Sequence, residues 1–184
     1  MTTATTGSSH HPDQVTVVRP AAAQDAEALH RLSRTFMRSG ALRERPVVRY
    51  ARDAGDFLVA ETVTGRIDGC VALRRHEPRT HGLPGAPSPA PAGTGGPLAV
   101  VYNFCVAPGS QGRGIGSALL EAALARAAAR SVSAVFTATT GGGELFLRHG
   151  FRFCDGSGAP AVWLDALDPH RGSRILFRPL APTR

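Results

Sequence analysis

Between Gln111 and Ser117 the chain reads Gln-Gly-Arg-Gly-Ile-Gly-Ser, with three glycines within five residues. Glycine leaves backbone N–H groups unshielded, so such a stretch can wrap them around an anion. A helix-forming run follows, and the positive end of a helix favours the same anion. Arg113 adds a permanent charge beside the loop. Together these residues offer a cradle for a diphosphate. The stretch lacks the Gly-Lys-Ser/Thr ending of a kinase-type phosphate loop, and the 184-residue chain contains no lysine. It also differs from a dinucleotide fingerprint, whose glycines lie in the first turn of a βαβ unit with an acidic residue about 20 residues on.

Arginine carries the second chemistry. It fills all 21 Lys/Arg positions and leaves a formal net charge of +7. A guanidinium fork holds phosphate or carboxylate by two parallel bonds, so anionic partners fit: a diphosphate donor, a carboxylate substrate, an acidic carrier protein or a nucleic acid. Nucleic acid ranks last, because no recognition motif accompanies the charge and the few aromatics show no stacking pattern. Zero lysine with abundant Ala, Gly and Pro points to a GC-rich bacterial genome. Cys70, Cys105 and Cys154 are odd in number and widely spaced, which favours reduced thiols and a cytoplasmic location over a disulfide frame or a metal site. No apolar run approaches the roughly 20 residues of a membrane span.

The elements that must position this chemistry follow from periodicity. Residues 1–13 are small and polar and read as a disordered tail, leaving one domain over 14–180. Gln14 to Arg19 reads as a strand stopped by Pro20. Ala22 to Ser39 reads as a helix with Leu29, Leu32 and Phe36 on one stripe and Gly40 as its stop. Residues 43–52 form an Arg-dense short helix or loop. Asp56–Thr62 and Arg66–His76 form a hairpin turning at Thr64-Gly65. Residues 77–97, rich in Pro, Gly, Ala and Ser, read as a flexible insertion, a spacer or a lid. Leu98–Val106 is a buried strand, and the cradle hands over to a helix from Ser117 to Arg130. Val132–Thr137 is the next strand, Gly143–His149 a short helix, and a strand runs from Phe151 through Cys154. A loop at 155–160 leads to Val162–Leu167, and Ser173–Arg178 closes the sheet. The expected fold is α/β (α+β): a mixed, mostly antiparallel sheet of six to seven strands with helices on both faces.

A Gln-x-x-Gly-x-Gly stretch after a strand ending Val-x-Pro resembles the acyl-CoA signature of the GNAT acyltransferases. Phe146-Leu147-Arg148-His149-Gly150-Phe151 resembles their second landmark, a helix ending in Gly-Phe. The resemblance spans roughly Val15 to Leu180. It implies an acetyl-CoA or other acyl-CoA donor and no metal, with Gln111, Gly112, Arg113, Gly114, Ile115, Gly116 and Ser117 as the diphosphate anchor. It also implies that the 98–106 strand splays from its neighbour, so that N–H groups of Phe104, Cys105 and Val106 meet the pantetheine arm and polarise the thioester carbonyl. The family often places a Glu on this strand as base and a Tyr four residues before Gly-Phe as acid. Here Tyr102 and Asn103 stand near the first position and Phe146 at the second. The proton carriers are therefore unassigned, with Tyr102, Asn103 and Thr139 as candidates. Positioning alone can supply ~7–11 kcal/mol in good systems, so weak acid–base machinery is tolerable. Cys105 reads as buried packing.

Three further segments resemble the acetyltransferase module of N-acetylglutamate synthases, particularly the short versions without a kinase domain. They are Gly40-Ala41-Leu42-Arg43-Glu44-Arg45, Gly69-Cys70-Val71-Ala72-Leu73-Arg74, and the closing run from Arg171 to Leu180. By that resemblance Arg45, Arg74, Arg171 and Ser173 form a carboxylate clamp for glutamate or a related amino acid. The 77–97 insertion and the three glycines at 141–143 depart from the pattern. They leave room for a specialised N-acyltransferase fed by an acidic acyl carrier protein. The missing Glu and Tyr leave room for a non-catalytic CoA-binding module. A homodimer is compatible with the sequence.

Overall fold

The computed structural model describes residues 16–77 and 96–181. The expected tail and nearly all of the expected insertion lie outside these residues. Among the described residues, seven strands form one sheet in the order β1-β2-β3-β4-β5-β7-β6. They are β1 (Thr16–Pro20), β2 (Phe57–Thr62), β3 (Ile67–His76), β4 (Leu98–Val106), β5 (Ala134–Thr139), β6 (Arg152–Cys154) and β7 (Arg174–Pro179). Within this sheet β4 and β5 pair in parallel, and the other pairs are antiparallel.

Helices cover both faces. α1 (Ala26–Arg38) and α2 (Val47–Arg52) pack Leu29 and Tyr50 onto Phe57, Val59, Cys70 and Ala72. α3 (Ile115–Ala129) and α4 (Glu144–Arg148) cover the other face, where Leu119, Leu120 and Ala123 meet Leu58, Val71 and Leu73. Truncating a fully buried leucine such as Leu119 costs about 2–5 kcal/mol. A short α5 (Ala161–Asp165) packs Trp163 against Phe136 at one end of the sheet.

Several boundaries differ from the sequence reading: α1 starts at Ala26, not Ala22, after a 3-10 turn at Ala23–Asp25, and other elements shift by about a residue or two. Two differences bear on the site. α3 starts at Ile115, not Ser117, because Gly114 takes a left-handed φ of 81° as its N-cap. Such a turn needs no flanking sequence signal beyond the glycine itself. β5 starts at Ala134, not Val132, because Ser131 to Ser133 still complete the turn out of α3, with Val132 N–H bonded to Ala127 O.

The seat of α3 depends on Gly69 in β3. A Cβ there would stand 2.8 Å from Leu119 Cδ1 and 3.0 Å from Ile115 Cγ2. The missing side chain lets the first turn of α3 lie directly on the strand, which fixes the helix N-terminus relative to β4.

Candidate active site

β4 and β5 pair over only three rungs, ending at Val100–Phe136. Both strands run on, β4 to Val106 and β5 to Thr139. β5 stays paired with β7 along its whole length, and Thr137 Oγ1 reaches across the opening to Val101 O at 3.1 Å. A wedge therefore opens between the two strands, bordered by the second half of β4. The backbone of β4 is also irregular here: pairing with β3 shifts between Cys70 and Ala72, and Asn103 takes a φ of 46°. Positive φ in a non-glycine residue is uncommon and stays only where its surroundings hold it. Asn103 is held on three sides. Its Oδ1 accepts from Tyr50 Oη at 3.1 Å, and its Nδ2 donates to Ser33 Oγ at 3.1 Å and lies 3.6 Å from Cys70 Sγ.

The glycine-rich loop closes one mouth of the wedge. Gln111 folds back, donating from Nε2 to Val106 O at 3.0 Å. Gly112 and Gly114 both adopt positive φ, and both face open space where a Cβ would stand. Among the described residues, no side chain caps the N-terminus of α3, so the first-turn N–H groups at Ile115 to Ser117 point outward without intrahelical partners. Gly116 packs close to Leu145. Phe104 contacts Phe146 at a ring separation of 5.7 Å, so the position where a tyrosine acid would stand is part of the buried aromatic packing. Cys105 is buried on the opposite face, with its Sγ 3.6 Å from Cys70 Sγ. The Cys70 thiol is pushed up by its bond to Cys105 and by burial, which removes nucleophilic character. Arg113 faces a separate cavity of about 850 Å³ between α1, the β2–β3 turn and the start of the loop.

On the other side of the wedge lies a cavity of about 350 Å³. It gathers Arg45, Arg74, Arg171 and Ser173, which come from distant points of the sequence, together with Tyr102 on β4. Tyr102 sits between Arg45 and Arg74, each guanidinium carbon 5.1 Å from its ring centroid. Its hydroxyl donates to Asp56 Oδ2 at 2.7 Å and accepts from Arg74 Nη2 at 3.0 Å. Burial, then the bond to Asp56, push the phenol well above its usual range, so it stays protonated at neutral pH. Asp53 pairs with Arg45 at 2.9 Å and Arg74 at 3.1 Å. Burial alone would raise the Asp53 carboxyl, but bonds from Arg52 and Arg74 hold it below the ordinary carboxylate value. Arg171 Nη2 bridges to Gly40 O at 2.5 Å and Ala41 O at 2.8 Å, tying the closing strand's approach to the loop after α1. Thr139 Oγ1 accepts from Gly141 N at 3.1 Å and braces the loop after β5.

Pattern reading missed three residues of this region. Asp53 and Asp56 lie in the turn before β2; Asp53 has Arg45 and Arg52 near it in sequence, but only the tertiary fold brings the two carboxylates to Arg74 and Tyr102. His76 ends β3 and lines the cavity. Burial, reinforced by the positive charge of Arg74, lowers its imidazole pKa and keeps it neutral near pH 7.

A sequence-family profile described as an acetyltransferase (GNAT) domain matches residues 53–153. The chain belongs to the GNAT acetyltransferase family. No curated protein matches the sequence. Among solved structures, this GNAT domain is similar to N-acetylglutamate synthase from Neisseria gonorrhoeae, complexed with coenzyme A and N-acetyl-glutamate. Identity is 23%, the TM-score 0.73, and the match covers 92% of this chain and 36% of that one. It thus spans about a third of the synthase. Rv2747 from Mycobacterium tuberculosis, solved in complex with CoA, is 26% identical with a TM-score of 0.67, over 90% of this chain and 99% of that one. The GNAT acetyltransferase YhbS from Escherichia coli, also solved with CoA, is 21% identical with a TM-score of 0.61, over 94% and 86%. Among the described residues of this GNAT domain, no helix is long and apolar enough to cross a membrane, and no cluster of His, Cys, Asp or Glu could hold a metal ion.

Proposed function

We propose that the protein transfers an acyl group from acyl-CoA to the primary amine of a carboxylate-bearing amino acid. The observation that carries this reading is the wedge between β4 and β5, with a bare glycine loop at one mouth and an arginine-lined cavity at the other. The diphosphate lies against the backbone amides from Gly112 to Ser117. The pantetheine arm runs along the free edge of β4, adding hydrogen bonds where β5 has departed. This edge also offers N–H groups to the thioester oxygen as negative charge develops on it. The structures with CoA named above support the donor, and the synthase complex supports the acceptor class.

The amine enters from the arginine side. Its nitrogen attacks the thioester carbon, a tetrahedral intermediate forms, and the C–S bond breaks to release CoA thiolate. The ammonium must lose one proton before it attacks and a second as the amide forms, and one proton must reach the thiolate. His76 is the group in this cavity suited to take the first, since its imidazole is neutral at working pH. Tyr102 holds its proton and serves as the plate between Arg45 and Arg74. Arg171 and Ser173 hold the acceptor carboxylate.

The test is release of free thiol from acetyl-CoA in the presence of an amino-acid panel. Amino-acid-dependent thiol release with formation of the N-acetyl product supports the reading. Silence across all carboxylate amines, with CoA bound, removes it. A carrier-fed version has one supporting feature, the net positive charge of the chain; preference for an acyl carrier protein over the matching acyl-CoA would favour it.

A further inference from the structure

The four arginines of the acceptor cavity are not electrostatically equal. Arg45 and Arg74 are already paired. Asp53 Oδ2 lies 2.9 Å from Arg45 Nη1 and 3.1 Å from Arg74 Nη2, and Asp56 Oδ2 lies 2.8 Å from Arg74. Two cations thus face two carboxylates, and the Asp53 side chain is only 9% exposed. Arg52 also reaches the other oxygen of Asp53, but it is 63% exposed and screened by water. Tyr102 fills the space between the paired arginines, and its hydroxyl is spent on Asp56 and Arg74. A third carboxylate brought to this end would meet a site already balanced, beside two like charges.

The other end differs. Arg171 donates to the backbone carbonyls of Gly40 and Ala41, and Arg43 donates to Ala166 O. Among the described residues neither has a carboxylate partner, so both carry their full charge into the cavity. Each uses a single terminal nitrogen for the backbone bonds, leaving the rest of its fork free. Ser173 stands on the same wall. Val162, Trp163 and Leu167 complete this side with apolar surface.

Resting on the acceptor reading above, we propose that the cavity has one anion seat, not two. The acceptor is then an amino acid with a single carboxylate and an uncharged side chain. Its carboxylate docks on Arg171 and Ser173, with Arg43 adjacent, and its side chain lies between the apolar wall and the neutralised Arg–Asp–Tyr face. Glutamate and aspartate, with a second negative charge to place, are the poorer substrates.

The experiment compares kcat/KM on the full chain with acetyl-CoA for glutamate and aspartate against glutamine, methionine and leucine. At least one neutral amino acid is expected to exceed both acids tenfold or more. Any smaller margin, or an acid in the lead, overturns the proposal while leaving the acyltransfer reading intact. If CoA binds but no amino acid is acylated, the acceptor reading itself falls and this inference with it. The Asp56→Asn variant, checked for native circular dichroism, frees one cation at the balanced end. It is expected to shift the glutamate-to-neutral ratio at least threefold toward glutamate. A folded variant with an unmoved ratio contradicts the charge argument; should it not fold, the wild-type panel still decides.

Discussion

Ser110 Oγ donates to Asp68 Oδ2 across 2.8 Å, and the backbone of Asp68 accepts the Ala107 N–H at 2.7 Å. One residue of β3 thereby fastens the start of the glycine-rich loop, the proposed donor site, at two points. Arg66 holds the same carboxylate at 2.6 and 2.9 Å, and Asp68 is 3% exposed. The Asp68→Ala variant leaves Ser110 without its partner, at a cost of about 1–3 kcal/mol. It is expected to raise the KM for acetyl-CoA several-fold more than the KM for the amino acid. Steady-state kinetics with each substrate varied in turn checks this; equal rises in both would mean a global defect.

The loop glycines act through conformation. Gly114 holds a φ of 81°, and among the described residues, its own chain neighbours aside, nothing lies within 4 Å of the position a Cβ would take. A valine there meets open space in the free protein but strains the backbone by roughly 1–2 kcal/mol, and on the proposed function it fills space the diphosphate would occupy. Calorimetry of CoA binding to Gly114→Val is expected to show at least tenfold weaker affinity with a modest loss of thermal stability. Unchanged affinity would remove the loop from the donor site.

Arg171 combines a free guanidinium edge with a staple to Gly40 and Ala41. A charge-assisted bond to a carboxylate contributes about 1.5–3 kcal/mol, so Arg171→Ala is expected to raise the acceptor KM on the order of tenfold or more while sparing donor affinity. Arg171→Lys keeps the charge but loses the fork and should recover part of the loss. Kinetics of the two variants side by side separates charge from geometry.

His76 offers a test with a pH signature. Replacing it with glutamine is expected to lower kcat on the order of 10²-fold near neutral pH. The loss should shrink as pH rises and the acceptor amine becomes neutral without assistance. A deficit independent of pH would assign His76 a packing role only.

Stability should fall in two steps as the solution is acidified. The native state resists protonation of His76, chiefly through burial and secondly through Arg74. The unfolded chain binds that proton near the ordinary value of about 6.5, so stability is full above this pH and declines as pH falls from there toward the lower native pKa. The second step comes from Asp25, Asp53 and Asp68, all held below the ordinary carboxylate value. Asp25 owes this first to its bond from Arg19 and Asp68 first to its bond from Arg66. At Asp53 burial acts upward, but the bonds from Arg52 and Arg74 outweigh it. Their contribution is present above about pH 4 and lost as pH falls through the native values. Urea midpoints between pH 8 and 3 check both steps; His76→Gln should abolish the first and leave the second.

Much of this was legible from the chain alone. Leu98–Val106 is apolar except at Asn103, with Pro97 before it and Ala107-Pro108 after it, and its limits as a strand coincide with β4. The pattern of helices and strands around it led to the mixed sheet. The start of α3 was hidden because a left-handed Gly114 reads in sequence like any loop glycine. The gathering of Arg45, Arg74, Arg171 and Ser173 around one cavity was accessible only through resemblance, since no local period links them. Their pairing was not legible at all. Asp53 and Asp56 look like turn residues before a strand, and only the tertiary fold brings them against Arg74 and Tyr102. The polar end of β3 likewise gave no sign that His76 faces a cavity.

The most direct test of the central claim is a crystal structure of the chain with CoA and an N-acetylated amino acid. The account places the diphosphate oxygens on the amides between Gly112 and Ser117, the pantetheine along the free edge of β4, and the product carboxylate on Arg171. CoA bound elsewhere, or a product carboxylate that avoids Arg171, would contradict it.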